Sequence, residues 1–189
     1  MTGLSVAIAV VALGAIWLLA AWRGLLAARE AADATWAGID VHLRERHALV
    51  PPLVAAVLAE VTIEEGTLSR LTAARDAAAA ATTPWARAEA ERHLVAGIAA
   101  VTTLAESYPA LGGTATFVDL QTRLSLIEDA IQSSRRVYNA DVRLYRSRRT
   151  RLPGPLLRRF GAFEDRPYFE LDHTRDRAGA APLPLVRAA

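Results

Sequence analysis

Residues 117–145 read FVDLQTRLSLIEDAIQSSRRVYNADVRLY. Within them Phe117, Leu120, Leu124, Ile127, Ile131, Tyr138, Val142 and Tyr145 recur at spacings of three, four or their sum. At 3.6 residues per turn these positions share one face of a helix, whereas a strand would scatter them over both faces. The stretch therefore predicts one long helix with a single apolar seam, the pattern of a helix packed in a bundle.

Working outward, the same spacing appears three more times. Trp36, Ile39, Leu43 and Val50, extended backward by Ala32, mark a first stripe. Val54, Val57, Val61, Leu68 and Leu71 mark a second, and Leu94, Ile98, Val101, Ala105 and Tyr108 a third. No segment alternates with a period of two, so no strand is predicted. The composition agrees: the 189 residues are 52% apolar but only 6% aromatic, and the apolar load is mostly Ala and Leu, which lose least on entering a helix. There is no cysteine, which excludes disulfides, thiolate catalysis, Cys-ligated zinc and lipidation through sulfur. The net charge is +2, and every cation is Arg.

The breaks between stripes have local causes. Thr83 can cap a helix whose first residue is Pro84, where the missing N–H costs nothing. Pro109, Gly112 and Gly113 interrupt the chain before Thr114 or Thr116, either of which can cap the fourth helix. Pro153-Gly154-Pro155 ends it. At Val50-Pro51-Pro52 two successive residues precede a proline and are pushed out of the α region. The favoured reading is a full reversal there, giving helices of about 27, 30, 25 and 36 residues that match in length. The alternative is a kink in one long helix.

Ahead of these stripes, Leu4 to Trp22 is apolar except for Ser5 and Gly14, and the first charge is Arg23. Nineteen helical residues reach roughly 28 Å, close to the hydrocarbon thickness of a bilayer. Trp17 and Trp22 lie toward the end that Arg23 follows, as at an interface-anchored helix end. No basic residue precedes the run, which favours an uncleaved anchor over a removed signal. Arg23 and Arg29 after the span, with no cation before it, place the rest of the chain in the cytoplasm. The fold expected is all-α: an N-terminal transmembrane helix at 1–23, then an antiparallel four-helix up-and-down bundle at 24–152. A basic, amphipathic segment at 153–171 and a disordered tail at 172–189, rich in Ala, Gly, Pro and Arg, complete it.

Several ordered stretches resemble the LemA family. They are Trp36-Ala-Gly-Ile-Asp-Val-His-Leu-Arg-Glu-Arg continuing to Leu49-Val-Pro-Pro-Leu-Val54, and Ala105-Glu-Ser-Tyr-Pro-Ala-Leu111. Phe117-Val-Asp-Leu-Gln-Thr-Arg-Leu, with Ile127-Glu-Asp-Ala-Ile and Arg135-Arg-Val-Tyr-Asn-Ala-Asp-Val-Arg143, is similar to a third signature. Phe160-Gly-Ala-Phe followed by Pro167-Tyr-Phe-Glu170 is similar to the closing motif. The resemblance implies a membrane-anchored, all-helical bacterial protein with a four-helix, up-and-down-like soluble part, and it implies no reaction. Pro52 stands where the family commonly has Asn, and Ile63-Glu64 where it often has a His-Glu pair, so a role for that histidine does not transfer.

No constellation of catalytic residues emerges. His42 and His47, five apart, diverge by about 140° on a helix and cannot share an ion as an i, i+4 pair can. His93 and His173 lie elsewhere, and solvated helix surface accounts for all four. The adjacent Glu64 and Glu65 project about 100° apart and make no paired acid–base site. Asp40 has Arg44 at i, i+4, and Glu128 has Gln132 as a helix-face neighbour. Leu111-Gly-Gly-Thr lacks the strand and the lysine of a phosphate loop. No catalytic residue, metal site, cofactor or small-molecule substrate is expected.

The conspicuous cluster is basic: Arg143, Arg146, Arg148, Arg149, Arg151, Arg158 and Arg159, with no acidic residue before Glu164. A solvated helix end favoured by the dipole is one explanation. Anionic lipid is the other main one, because an even number of antiparallel helices returns the chain to the membrane, and Leu156, Leu157, Phe160 and Phe163 mix apolar bulk with guanidinium. Nucleic acid is disfavoured for a tethered bundle without a reading helix. The expected function is a membrane-anchored scaffold or adaptor of the bacterial cell envelope. It would be single-pass in the cytoplasmic membrane and bind membrane lipids together with another envelope protein or itself. The alternative is a regulatory accessory subunit of a membrane enzyme such as a protease.

Overall fold

The computed structural model describes residues 2–60, 65–158, 160–161 and 163–170. Every regular element among them is helical: α1 (Thr2–Glu60), α2 (Glu65–Ala80), α3 (Pro84–Glu106), α4 (Pro109–Gly112), α5 (Ala115–Thr150) and α6 (Gly154–Leu157).

The first helix changes character along its length. Leu4, Val11, Ile16 and Leu19 are all exposed, and the apolar stretch around them, long enough to cross a membrane, has none of its surface buried in the chain. From Leu25 onward one face turns inward, through Ala28, Ala32, Ile39, Leu43, Val50 and Val57.

The reversal expected at Val50-Pro51-Pro52 does not occur, since α1 contains both prolines and runs on to Glu60. Each proline removes one helical hydrogen bond, from the carbonyls of His47 and Ala48, and an interior proline costs about 3 kcal/mol. Against this stand Leu49, Val50, Leu53 and Val57, all buried in one cluster. Each such side chain gains about 1.5–3 kcal/mol by leaving water. Both prolines face solvent, and packing outweighs the local preference.

α2 instead runs antiparallel to the end of α1. Leu68 of α2 packs in the cluster of Leu53 and Val57, while the far end of α2 lies level with Asp40. There the Arg87 guanidinium pairs with Asp40 and donates to the Ala81 carbonyl at 3.0 Å. α3 then runs back alongside α2. Gly97 permits their close approach, because a Cβ there would meet Leu71 Cδ1 at 3.1 Å. As expected, Thr83 caps α3 by accepting from the Ala86 amide at 3.2 Å, with Pro84 beginning the helix. Of the two candidate caps for α5, Thr114 serves, accepting from the Phe117 amide at 3.3 Å.

α5 lies antiparallel to α1. Its Leu124 joins the cluster of Leu49 and Leu53, its Ile131 that of Ile39 and Leu43, and its Tyr145 that of Leu25 and Ala28. The lengths differ from the matched set expected: α1 has 59 residues, α2 16, α3 23 and α5 36. The second stripe is not one helix: Val54 and Val57 belong to α1, and Leu68 and Leu71 to α2. The seam residues are largely core. Tyr108 is the exception; it is exposed, because Pro109 starts the separate turn α4 just after it. Val61 and the tail 172–189 lie outside the described residues.

Candidate functional site

Beyond α6, residues 163–170 form no regular element and lie as a strap along α1 and α5. The α5 seam supplies its fastenings. Tyr145 donates its hydroxyl to the Glu164 carbonyl at 2.7 Å, and Tyr138 to the Pro167 carbonyl at 2.9 Å. Asn139 accepts from the Phe169 amide at 3.0 Å and donates to its carbonyl at 3.1 Å. Phe163 and Phe169 are buried, each edge-on to a tryptophan of α1: Phe163 to Trp22 with centroids 5.1 Å apart, Phe169 to Trp36 at 5.2 Å. Burial pushes the Tyr138 and Tyr145 hydroxyls above their ordinary pKa, with nearby arginines opposing it. The neutral phenols are thus held as donors to the strap carbonyls.

This strap claims part of the basic cluster. Arg146 donates to the Arg166 carbonyl and pairs with Asp165 at 2.8 Å, its guanidinium stacked on the Tyr168 ring. Arg149 donates to the Phe163 carbonyl and pairs with the same Asp165 at 3.2 Å. Arg166 reaches Asp33 of α1 at 2.8 Å. Arg148 turns to α1 and donates to the Gly24 carbonyl. Arg143, Arg151 and Arg158 are exposed, and Arg159 lies outside the described residues. The chain bends sharply after α5 because of Gly154, where a Cβ would collide with the backbone carbonyls of Arg148 and Arg149.

The structure also joins His47, expected on solvated helix surface, to two charges not singled out in the sequence, Arg46 and Glu91. Glu91 of α3 is fully buried. One of its carboxylate oxygens accepts from Arg46 and the other lies 2.6 Å from His47 Nε2. Arg46, itself buried, bridges onward to Glu128 of α5 at 2.8 Å, and Gln132 donates to Glu128 at 2.7 Å. His47 is thus interior, not solvated surface. A signal for this was present: Arg46 continues the Ile39–Leu43–Val50 seam, Glu91 precedes Leu94 by three, and Glu128 lies between Leu124 and Ile131. Opposite charges in seam register on three helices are a reason to expect a buried pair.

The remaining pairs are ordinary. Asp40 meets Arg44 at 3.0 Å as expected, with Arg87 added. His42 lies 3.2 Å from Glu45, and the exposed His93 lies 3.5 Å from Glu89. Among the described residues no three His, Cys, Asp or Glu side chains group as metal ligands. Glu64 and His173 lie outside them.

An all-helical chain, with an exposed apolar first stretch, an internal ion-pair network and a C-terminal strap, defines the class. The LemA family profile matches residues 35–181, and the chain belongs to the LemA family. No curated protein matches it. The strap contacts join stretches set apart in the sequence, with Trp36, Tyr138, Asn139, Pro167 and Phe169 meeting at one place.

Proposed function

We propose that this LemA-family chain is a single-pass protein of the bacterial cytoplasmic membrane. Residues 4–22 span the bilayer, and the remaining helices form an up-and-down bundle that serves as a cytoplasmic scaffold or adaptor. The observation that carries this reading is the continuity of α1. One helix passes from a fully exposed apolar stretch into the core without a hinge, so the bundle would stand rigidly on its anchor. The long helices α1, α2, α3 and α5 alternate in direction, and this parity supports a bundle whose last long helix returns to the membrane. Beyond the core, Val41, Leu58, Trp85, Val95, Val118 and Leu126 remain exposed, and scattered apolar side chains on helix faces suit contacts with other helical proteins or a second copy.

The test has two stages on the full chain. It stays with the membrane pellet after alkaline carbonate washing, and release of a soluble chain beginning near Arg23 overturns the anchor. Cross-linking and pull-down from native membranes then identifies what it holds. Recovery of a non-enzymatic envelope protein or of a homo-oligomer supports the scaffold. A stoichiometric membrane protease or other enzyme replaces it with a regulatory accessory role.

A further inference from the structure

We propose that the groove between the membrane-proximal end of α1 and the α5–α6 bend binds one anionic phospholipid. The inference rests on the reading of residues 4–22 as a membrane span. The groove has a volume of about 410 Å³, with Ala20, Ala21 and Leu157 among its apolar lining and Arg148 and Arg151 on the polar side. Its position relative to the bilayer follows from helix geometry. With Leu4–Trp22 filling roughly 28 Å of hydrocarbon, Ala20 and Ala21 belong to the last turn inside it. Gly24, whose carbonyl receives Arg148, lies at headgroup level.

The two arginines are differently placed. Arg148 uses one N–H on Gly24, and a guanidinium has five, so donors remain for a phosphate oxygen while the anchor holds the side chain in position. Arg151 is exposed and makes no side-chain hydrogen bond or ion pair among the described residues. In contrast, Arg146 and Arg149 are committed to Asp165 and the strap. The surroundings favour a lipid over a free phosphate. Leu152 is 81% exposed and Phe160 75% exposed, next to the arginines at the level of the anchor's end. Exposed apolar bulk beside guanidinium is what an interfacial segment presents to headgroups and upper acyl chains. A headgroup phosphate would lie between Arg148 and Arg151, with the first methylenes of a chain against Ala20 and Ala21.

The experiment uses the full chain reconstituted in phosphatidylcholine vesicles carrying trace spin-labelled phosphatidylglycerol or spin-labelled phosphatidylcholine. Electron paramagnetic resonance reads the motionally restricted fraction of each. The anionic label is expected to be restricted preferentially, and Arg151→Gln to reduce that preference about fivefold, the contribution of one arginine near an anionic headgroup. Arg151→Lys should retain most of it, Ala20→Phe should reduce restriction by filling the floor, and Arg123→Gln at the distant end of α5 should change nothing. Equal restriction of the two labels overturns the proposal, as does undiminished preference in Arg151→Gln. Loss of the preference when inorganic phosphate is added shows a simple phosphate site and also overturns it. Carbonate release of the protein from these vesicles would defeat the membrane-span reading itself. Retention in the vesicles without lipid preference defeats the groove alone.

Discussion

Replacing Glu91 by leucine removes the carboxylate that holds Arg46 and His47 together. Glu91 is wholly buried and Arg46 nearly so, so the variant leaves a guanidinium in the core with Glu128 as its remaining counter-charge. Removing one partner of a buried ion pair costs about 3–5 kcal/mol, because the other charge stays desolvated. His47 also loses the acceptor it faces at 2.6 Å. The total stability of a domain is about 5–15 kcal/mol, so the loss is a large share of it. In a chain of this size each kcal/mol moves the thermal midpoint by about 2–4 °C, giving a drop of roughly 6–20 °C. The assay is helical circular dichroism of the full chain in detergent during heating, for wild type, Glu91→Leu, Arg46→Met and the double variant. Glu91→Leu and Arg46→Met should each fall steeply. The double variant should recover much of the loss, since a buried pair replaced by apolar side chains is often neutral, and the cycle then gives a coupling of several kcal/mol. A Glu91→Leu midpoint within two degrees or so of wild type, or additive single effects, would refute the account of the network as what ties α3 and α5 to α1.

Three further outcomes follow from the same geometry. Leu124→Asp places a carboxylate in the cluster of Leu49, Leu53 and Phe117, and a loss of several kcal/mol in the same melting assay is expected; an unchanged midpoint would sink the seam assignment. Pro51→Ala restores a donor to the His47 carbonyl inside a continuous helix, so it should raise the midpoint, by up to about 3 kcal/mol of stability. A fall would mean that the proline makes a needed turn. In alkaline absorbance titration, Tyr138 and Tyr145 should ionise above the ordinary tyrosine value of about 10, because burial raises both. The folded chain then holds protons that the unfolded chain has lost, so strap docking weakens as pH rises above about 10 and is at full strength below it. Tyr138→Phe and Tyr145→Phe should each remove one late step from the titration, and an unchanged titration in either variant contradicts the assignment.

How much of this could be read from the chain alone depended on the range of the forces involved. Three of the four seams were legible because helical periodicity is a local property: Ile39, Leu43, Leu94, Val101, Phe117, Leu120, Ile131 and Val142 are buried where their spacing put them, while the second stripe spans two helices. The caps at Thr83 and Thr114 were legible for the same reason, since an N-cap bond spans three residues. The long apolar stretch before Arg23 needed only counting. Tertiary structure decided the rest. At Pro51 and Pro52 the local preference pointed to a turn, but Leu49, Val50, Leu53 and Val57 gain more by burial against α2 and α5 than the prolines cost. Those partners are distant in sequence. The pairing of Arg46 with Glu91 joins positions 45 apart, and Tyr138 reaches a carbonyl 29 residues onward. Which arginines stay open to a ligand and which the strap occupies likewise depends on Asp165 coming back over α5. A charge's spacing on its own helix specifies the face it occupies, but its partner is set by which helices meet, and that is a property of the packed core.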